Sequence, residues 1–151
     1  MASMTWSTEL DTGIKVIDTQ HRRILDYINE LDSAHSGGHG REAVGNVINE
    51  LVDYTLSHFS FEESLMEEAQ YPFSKPHKKV HEIFTKRVGD FQTRFEVGED
   101  IAPELHKLLV TWLINHIKRD DYDYVAAVKE NMGNHDEFVS RKKGFFARLF
   151  G

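Results

Sequence analysis

Apolar residues recur every three or four positions along most of the chain, the period of helices with one buried face. The first stripe is Ile17, His21, Ile24, Leu25, Ile28 and Leu31. It predicts a helix that starts near Asp18, a residue type favoured at helix N-caps, and ends before Gly37-Gly38-His39-Gly40. A second helix is expected from about Arg41 to Ala69, with Val44, Ile48, Leu51, Thr55, His58, Glu62 and Leu65 on its inner face. The stretch Tyr71 to Pro76 closes it, and Pro76 suits the first position of the next helix. That third helix runs to about Phe95, with His77, Val80, His81, Phe84, Val88 and Phe91 inside. After a break from Gly98 to Pro103, a fourth helix points Leu105, Leu108, Leu109, Trp112, Leu113 and His116 inward. A short helical continuation is expected over Tyr122 to Met132. Met1 to Gly13 reads as an ordered arm that Trp6 and Leu10 can anchor. Four amphipathic helices with short connections predict an all-α fold: an up-down-up-down antiparallel four-helix bundle over residues 1–132, followed by a tail over 133–151.

The stripes contain residues that do not belong in an apolar core. His21, His58, Glu62, His77, His81 and His116 all fall on inner faces, and Asp121 follows His116 by five positions. Residues four apart on a helix point the same way, so His58 with Glu62, and His77 with His81, each present two donors side by side. Residues five apart on a regular helix lie about 140° apart. His116 and Asp121 can therefore meet only if the helix ends, kinks or bulges near Lys118 to Asp121. Taken singly, a core histidine such as His21 is ordinarily satisfied by a hydrogen bond, and a His-x-x-x-His pair is a surface accident as often as not. The run His77-Lys78-Lys79-Val80-His81 is not a zinc-protease motif, because Lys78 stands where the glutamate would be. The conjunction argues otherwise: each of four helices contributes donors to the same interior. Imidazole and carboxylate together suit iron, copper, zinc or nickel, and carboxylates can bridge two ions. His35, His39, His106 and His135 fall in loops or on outer faces and are expected to be solvated.

Composition narrows the function. The formal net charge is -7, which argues against nucleic acid, whose binders need a basic face. There is no cysteine, so disulfides, iron–sulfur clusters and thiolate zinc sites are excluded. The N-terminus lacks a basic start followed by an apolar stretch, and no run reaches the roughly 20 apolar residues of a membrane span, so a cytoplasmic location is expected.

The chain resembles the hemerythrins, specifically the single-domain bacterial ones. The resemblance rests on Trp6, Gly13-Ile14, Ile17 to His21, His58 to Met66, His77 to His81 and Trp112 to Asp121, and it spans about residues 4–132. It implies a non-haem di-iron centre, oxo- or hydroxo-bridged. One iron would be held by His77, His81 and His116 and the other by His21 and His58, with Glu62 and Asp121 bridging both. It implies that O2 binds at the iron with two histidines, and that the protein is a carrier or store rather than an enzyme. Ile24, Phe59, Trp112 and Leu113 flank the ligands at helical spacing and are the expected walls of a dry ligand pocket, besides being ordinary core. The donor set supports carriage on physical grounds. Imidazoles outnumber carboxylates, whereas oxygen-activating bundles of the ferritin type use mostly carboxylates.

Two other functions fit the same residues. One is an oxygen or redox sensor acting through a partner; the other is a di-iron oxidoreductase. No added acid beside the pocket favours the latter, and Glu63 is expected to point elsewhere. The tail Arg141 to Gly151 carries four positive charges, and Phe145, Phe146, Leu149 and Phe150 share a face if it is helical. A partner protein, a membrane surface or a second copy could dock there, or the tail could fold back on the bundle.

Overall fold

The computed structural model describes residues 3–134. Four long helices, α1 (Lys15–Ser36), α2 (Arg41–Glu68), α3 (Ser74–Glu96) and α4 (Ala102–Asn115), form the bundle. A π-helical segment, His116–Asp121, continues α4 without a break into a fifth helix, α5 (Tyr122–Asn134). α1 packs against α2 and α4, and α2 packs against α3 and, further along, α5. No helix of the described residues is long and apolar enough to cross a membrane. The tail, with Arg141 to Gly151 and His135, lies outside the described residues.

The predicted stripes are the buried faces. Ile17, Ile28, Leu31, Leu65 and Leu105 are fully buried, and Val80, Phe91, Leu108 and Trp112 are half-buried at the margins. The apolar interior is divided in two. The larger cluster holds Ile24, Ile28, Ile48, Leu51, Phe84, Val88, Leu109 and Leu113. The smaller holds Ile14, Ile17, Phe61, Leu65, Met66, Tyr124, Val125 and Val128. On α1 the division falls at His21, on α2 between Phe59 and Phe61, and on the fourth helix between Ile117 and Tyr124. The candidate ligands sit on that boundary.

The helix boundaries correct two expectations. α1 begins at Lys15, with Ile14 as its N-cap, so Asp18 is not the cap. Asp18 lies in the first turn and folds back on the arm. It accepts hydrogen bonds from the Thr12 N–H (2.8 Å), the Thr12 hydroxyl (2.7 Å) and the Gly13 N–H (3.1 Å). α3 begins at Ser74, which places Pro76 in the first turn rather than at the first position. Neither shift moves a candidate ligand off its face.

The arm is ordered as expected. The Asn29 side chain clips the Met4 backbone from both sides, accepting from its N–H and donating to its carbonyl, each at 2.8 Å. The Trp6 indole donates to Asp11 at 2.9 Å, and the Arg22 guanidinium lies over its ring.

Three helices end in the same way, with a left-handed residue and two reversed backbone hydrogen bonds. After α1 these are Gly38 N–H to His35 and His39 N–H to Ala34. After α2 they are Gln70 N–H to Glu67 and Tyr71 N–H to Met66. After α3 they are Gly98 N–H to Phe95 and Glu99 N–H to Arg94. Glycine fills the left-handed position at Gly38 and Gly98, but Gln70 fills it at φ 55°. A side chain there costs roughly 1–2 kcal/mol, against roughly 0.5–1 kcal/mol of added chain entropy for glycine. Gln70→Gly is therefore expected to stabilise the protein by about 0.5–1 kcal/mol in urea denaturation, by the same bookkeeping. A loss of stability would show that the Gln70 side chain makes a contact that outweighs its strain.

Candidate metal centre

α1 supplies His21, α2 supplies His58 and Glu62, and α3 supplies His77 and His81. The π-helical segment supplies both of its ends, His116 and Asp121. Its i→i+5 hydrogen bonding widens the turn, so residues five apart come onto one face. The result is direct: His116 Nε2 lies 2.8 Å from Asp121 Oδ1. A regular helix through these residues would point Asp121 away from the interior.

All seven side chains are buried, none more than 5% exposed. Asp121 turns Oδ2 to His21 Nε2 (2.8 Å) and Oδ1 to His77 Nε2 (3.1 Å) as well as to His116. Glu62 turns Oε1 to His58 Nε2 (3.0 Å), His81 Nε2 (3.3 Å) and His116 Nε2 (3.6 Å). His81 Nε2 and His116 Nε2 face one another at 3.1 Å. The donors fall into two groups, each with its ligand atoms within 4.8 Å of one another. One is Glu62, His77, His81, His116 and Asp121; the other is His21, His58, Glu62 and Asp121. Both carboxylates belong to both groups.

The protonation states follow from these contacts. Burial raises the Glu62 carboxyl, but the imidazoles of His58, His116 and His81 outweigh burial and hold it well below the usual carboxylate range. For Asp121, burial and the Glu62 charge push up, His116 and His21 pull down, and the net direction is again down. Burial lowers His58 and keeps its ring neutral, against the pull of Glu62. Ionised carboxylates beside a neutral imidazole are the forms that bind metal. Inward-facing His21 Nε2, His58 Nε2, His77 Nε2, Glu62 Oε1 and both Asp121 oxygens make no hydrogen bond of normal geometry despite the short contacts. Left so, each would cost roughly 1–3 kcal/mol. Cations between the two carboxylates satisfy all of them together, so the residues fit a metal site.

Other residues support the ligands from behind. Gln20 Oε1 lies 2.5 Å from His58 Nδ1. Glu63 does not point elsewhere: its Oε2 is 3.5 Å from His81 Nδ1 and its Oε1 is 3.9 Å from Lys78 Nζ. The Tyr124 hydroxyl donates to Glu62 Oε2 at 2.7 Å, and burial together with the Glu62 and Asp121 charges raises its pKa well above the usual phenol range. Gln20 and Tyr124 were not singled out from the sequence. The signal for Tyr124 is its place three residues after Asp121 in the expected helical continuation, but its partner Glu62 lies 62 residues away in the chain.

Of the four expected pocket walls, Ile24, Phe59 and Leu113 are buried in the larger apolar cluster and Trp112 is half-buried against it. Phe59 stacks on His81 (ring centroids 3.9 Å apart) and Trp112 on His116 (4.4 Å). Phe84 continues the stack from Trp112 at 3.8 Å. Ile24 lies one helical turn past His21. His106, expected on an outer face, is instead buried near the start of α4, and burial lowers its pKa against the pull of Asp32. His35 is half-buried and pairs with Asp100 at 3.0 Å, while His39 is exposed.

A bundle that buries imidazoles and carboxylates from α1, α2, α3 and the π-helical segment around one point is, as a class, a cation-binding helical protein. The chain belongs to the hemerythrin family: the hemerythrin HHE cation binding domain matches residues 12–128. Bacteriohemerythrin of Pseudomonas aeruginosa is 54% identical over 132 residues, covering 87% of this chain and 86% of that protein. Bacteriohemerythrin of Methylococcus capsulatus is 34% identical over 127 residues, covering 82% and 95%. A crystal structure of wild-type hemerythrin superposes with a TM-score of 0.78 at 32% identity, covering 84% of this chain and 98% of that one.

The metal-free chain is expected to lose stability as the pH falls. His58 is neutral when folded but takes a proton on unfolding below about pH 6.5, so the unfolded state binds more protons there. Glu62, depressed when folded, acts in the same direction at lower pH. Thermal midpoints of the metal-free protein should therefore fall from pH 7 to pH 5. A midpoint that rises on acidification would contradict the assigned protonation states.

Proposed function

We propose that the chain holds two iron ions at this centre and binds O2 reversibly, for storage, transport or delivery. The observation that supports it is the division of the donors into a three-imidazole group and a two-imidazole group that share Glu62 and Asp121. On this reading His77, His81 and His116 fill one ion's sites, and His21 and His58 leave the other ion a site for a small ligand. Held there in the ferrous state, such a pair would supply reversible two-electron chemistry toward O2.

The chain's own residues do the rest. Asp121 and Glu62 would be shared between the two positions, Gln20 orients His58 from behind, and the Glu63 carboxylate lies 3.5 Å behind His81. The stacked rings of Phe59 and Trp112 pin the imidazoles of the three-histidine group. Ile24 and Leu113 would wall the two-histidine side and keep water, a source of protons, from the open site. Neutral imidazoles outnumber carboxylates, which disfavours high-valent iron and favours release of O2 over its activation.

The test is iron content together with visible spectra through anaerobic reduction, addition of O2 and its removal. About two irons per chain are expected by the ligand count, with a colour that appears on O2 and vanishes when O2 is removed. Irreversible oxidation within one exposure would overturn reversible binding. Leu113→Asn should admit water and speed autoxidation by about tenfold, equivalent to about 1.4 kcal/mol of barrier. An unchanged autoxidation rate would remove Leu113 from the pocket wall.

A further inference from the structure

The two shared carboxylates are not equivalent. Asp121 gives both oxygens to imidazoles, Oδ2 to His21 and Oδ1 to His77 and His116. Glu62 gives only Oε1 to imidazoles, and its Oε2 takes the Tyr124 hydroxyl at 2.7 Å. Tyr124 is enclosed on its own account. It is fully buried, its ring lies 5.6 Å from the His77 ring and 6.5 Å from Tyr71, and its neighbours in the smaller cluster are Ile14, Ile17, Leu65 and Val128. A phenol in that setting is costly to bury unless its hydroxyl is used, and a carboxylate is the strongest neutral-donor partner available.

We infer that Tyr124 is a positioning residue that anchors Glu62 through Oε2, making Asp121 the fixed bridge and Glu62 the carboxylate whose reach toward the metals is set from outside. This rests on the reading of the centre as a metal pair. Tyr124 meets Glu62 Oε2 through its hydroxyl. Its hydroxyl ties down one oxygen of a side chain with several rotatable bonds, so that the other oxygen is presented to His58, His81 and His116. Removing the hydroxyl leaves the carboxylate free to rotate, and each metal then has to order it at the cost of its own binding energy. The chain arranges this across the helix junction: the π-helical segment sets Asp121, and the next turn, at the start of α5, sets Tyr124.

The test is cobalt(II) titration of metal-free protein, wild type beside Tyr124→Phe, followed by visible absorption. Phenylalanine keeps the ring and deletes only the hydroxyl. The expected result is two cobalt ions per wild-type chain and an affinity about 10–100-fold weaker in the variant, the usual effect of losing a group that orients a ligand. The cobalt absorption bands should also shift, because a moved carboxylate changes the coordination; a role confined to packing would leave them in place. Equal affinities and identical bands would overturn the inference while leaving the metal pair intact. A wild-type chain that takes up fewer than two cobalt ions would overturn the metal pair and this inference together. A second measurement needs no variant. The zinc-loaded wild type should show a slowly exchanging downfield hydroxyl proton in its NMR spectrum, and its absence would also overturn the anchoring hydrogen bond.

Discussion

Two carboxylates and five imidazoles, removed from water in the middle of a helical bundle, are the constraint on which the rest of the structure depends. Glu62 and Asp121 are fully buried, and their neighbours are imidazoles and, at Glu62, a phenol. Buried carboxylates are tolerated only when charge and hydrogen bonding compensate them. The compensation extends through the architecture. It splits the apolar interior into two clusters, places a donor on every long helix or its continuation, and takes the fourth helix out of its regular winding at His116–Asp121. The apolar clusters above and below then hold the donors at spacings that no single helix could maintain.

Much of this was legible in the sequence because helical periodicity is a strong signal and the ligands lie within it. His58 with Glu62 and His77 with His81 are read from spacing alone. The pair His116 and Asp121 was also informative, because an offset of five violates the regular period and so required a distortion, which the π-helical segment supplies. What was missed depends on contacts between segments distant in sequence. Asp18 looks like an N-cap, but its carboxylate is recruited by the Thr12 and Gly13 backbone of the arm. Glu63 should turn from the interior on an ideal wheel, yet its length lets it reach the back of His81. His106 was assigned to solvent because no stripe includes it, whereas the start of α4 is enclosed near Asp32 of α1. Gln20 and Tyr124 are ordinary helical residues until their partners, across the bundle, are known.

The same contacts separate what the fold determines from what the metal contributes. The bundle determines a pair of donor groups, their sharing of two carboxylates, and the unequal numbers of imidazoles on the two sides. Membership of the hemerythrin family brings the expectation of iron and O2; imidazole and carboxylate donors alone are compatible with several first-row metals. What the chain itself shows is the unequal ligand count on the two sides, and the burial of Ile24 and Leu113 in the larger apolar cluster.

Sharing of Glu62 and Asp121 between two metal ions with different imidazole counts is open to direct observation. The most direct measurement is a crystal structure of the iron-loaded chain, with anomalous scattering at the iron edge locating the ions. Two iron peaks are expected, one bounded by His77, His81 and His116 and the other by His21 and His58, with both carboxylates contacting both ions. A single peak, or two peaks that do not share Glu62 and Asp121, would contradict that sharing.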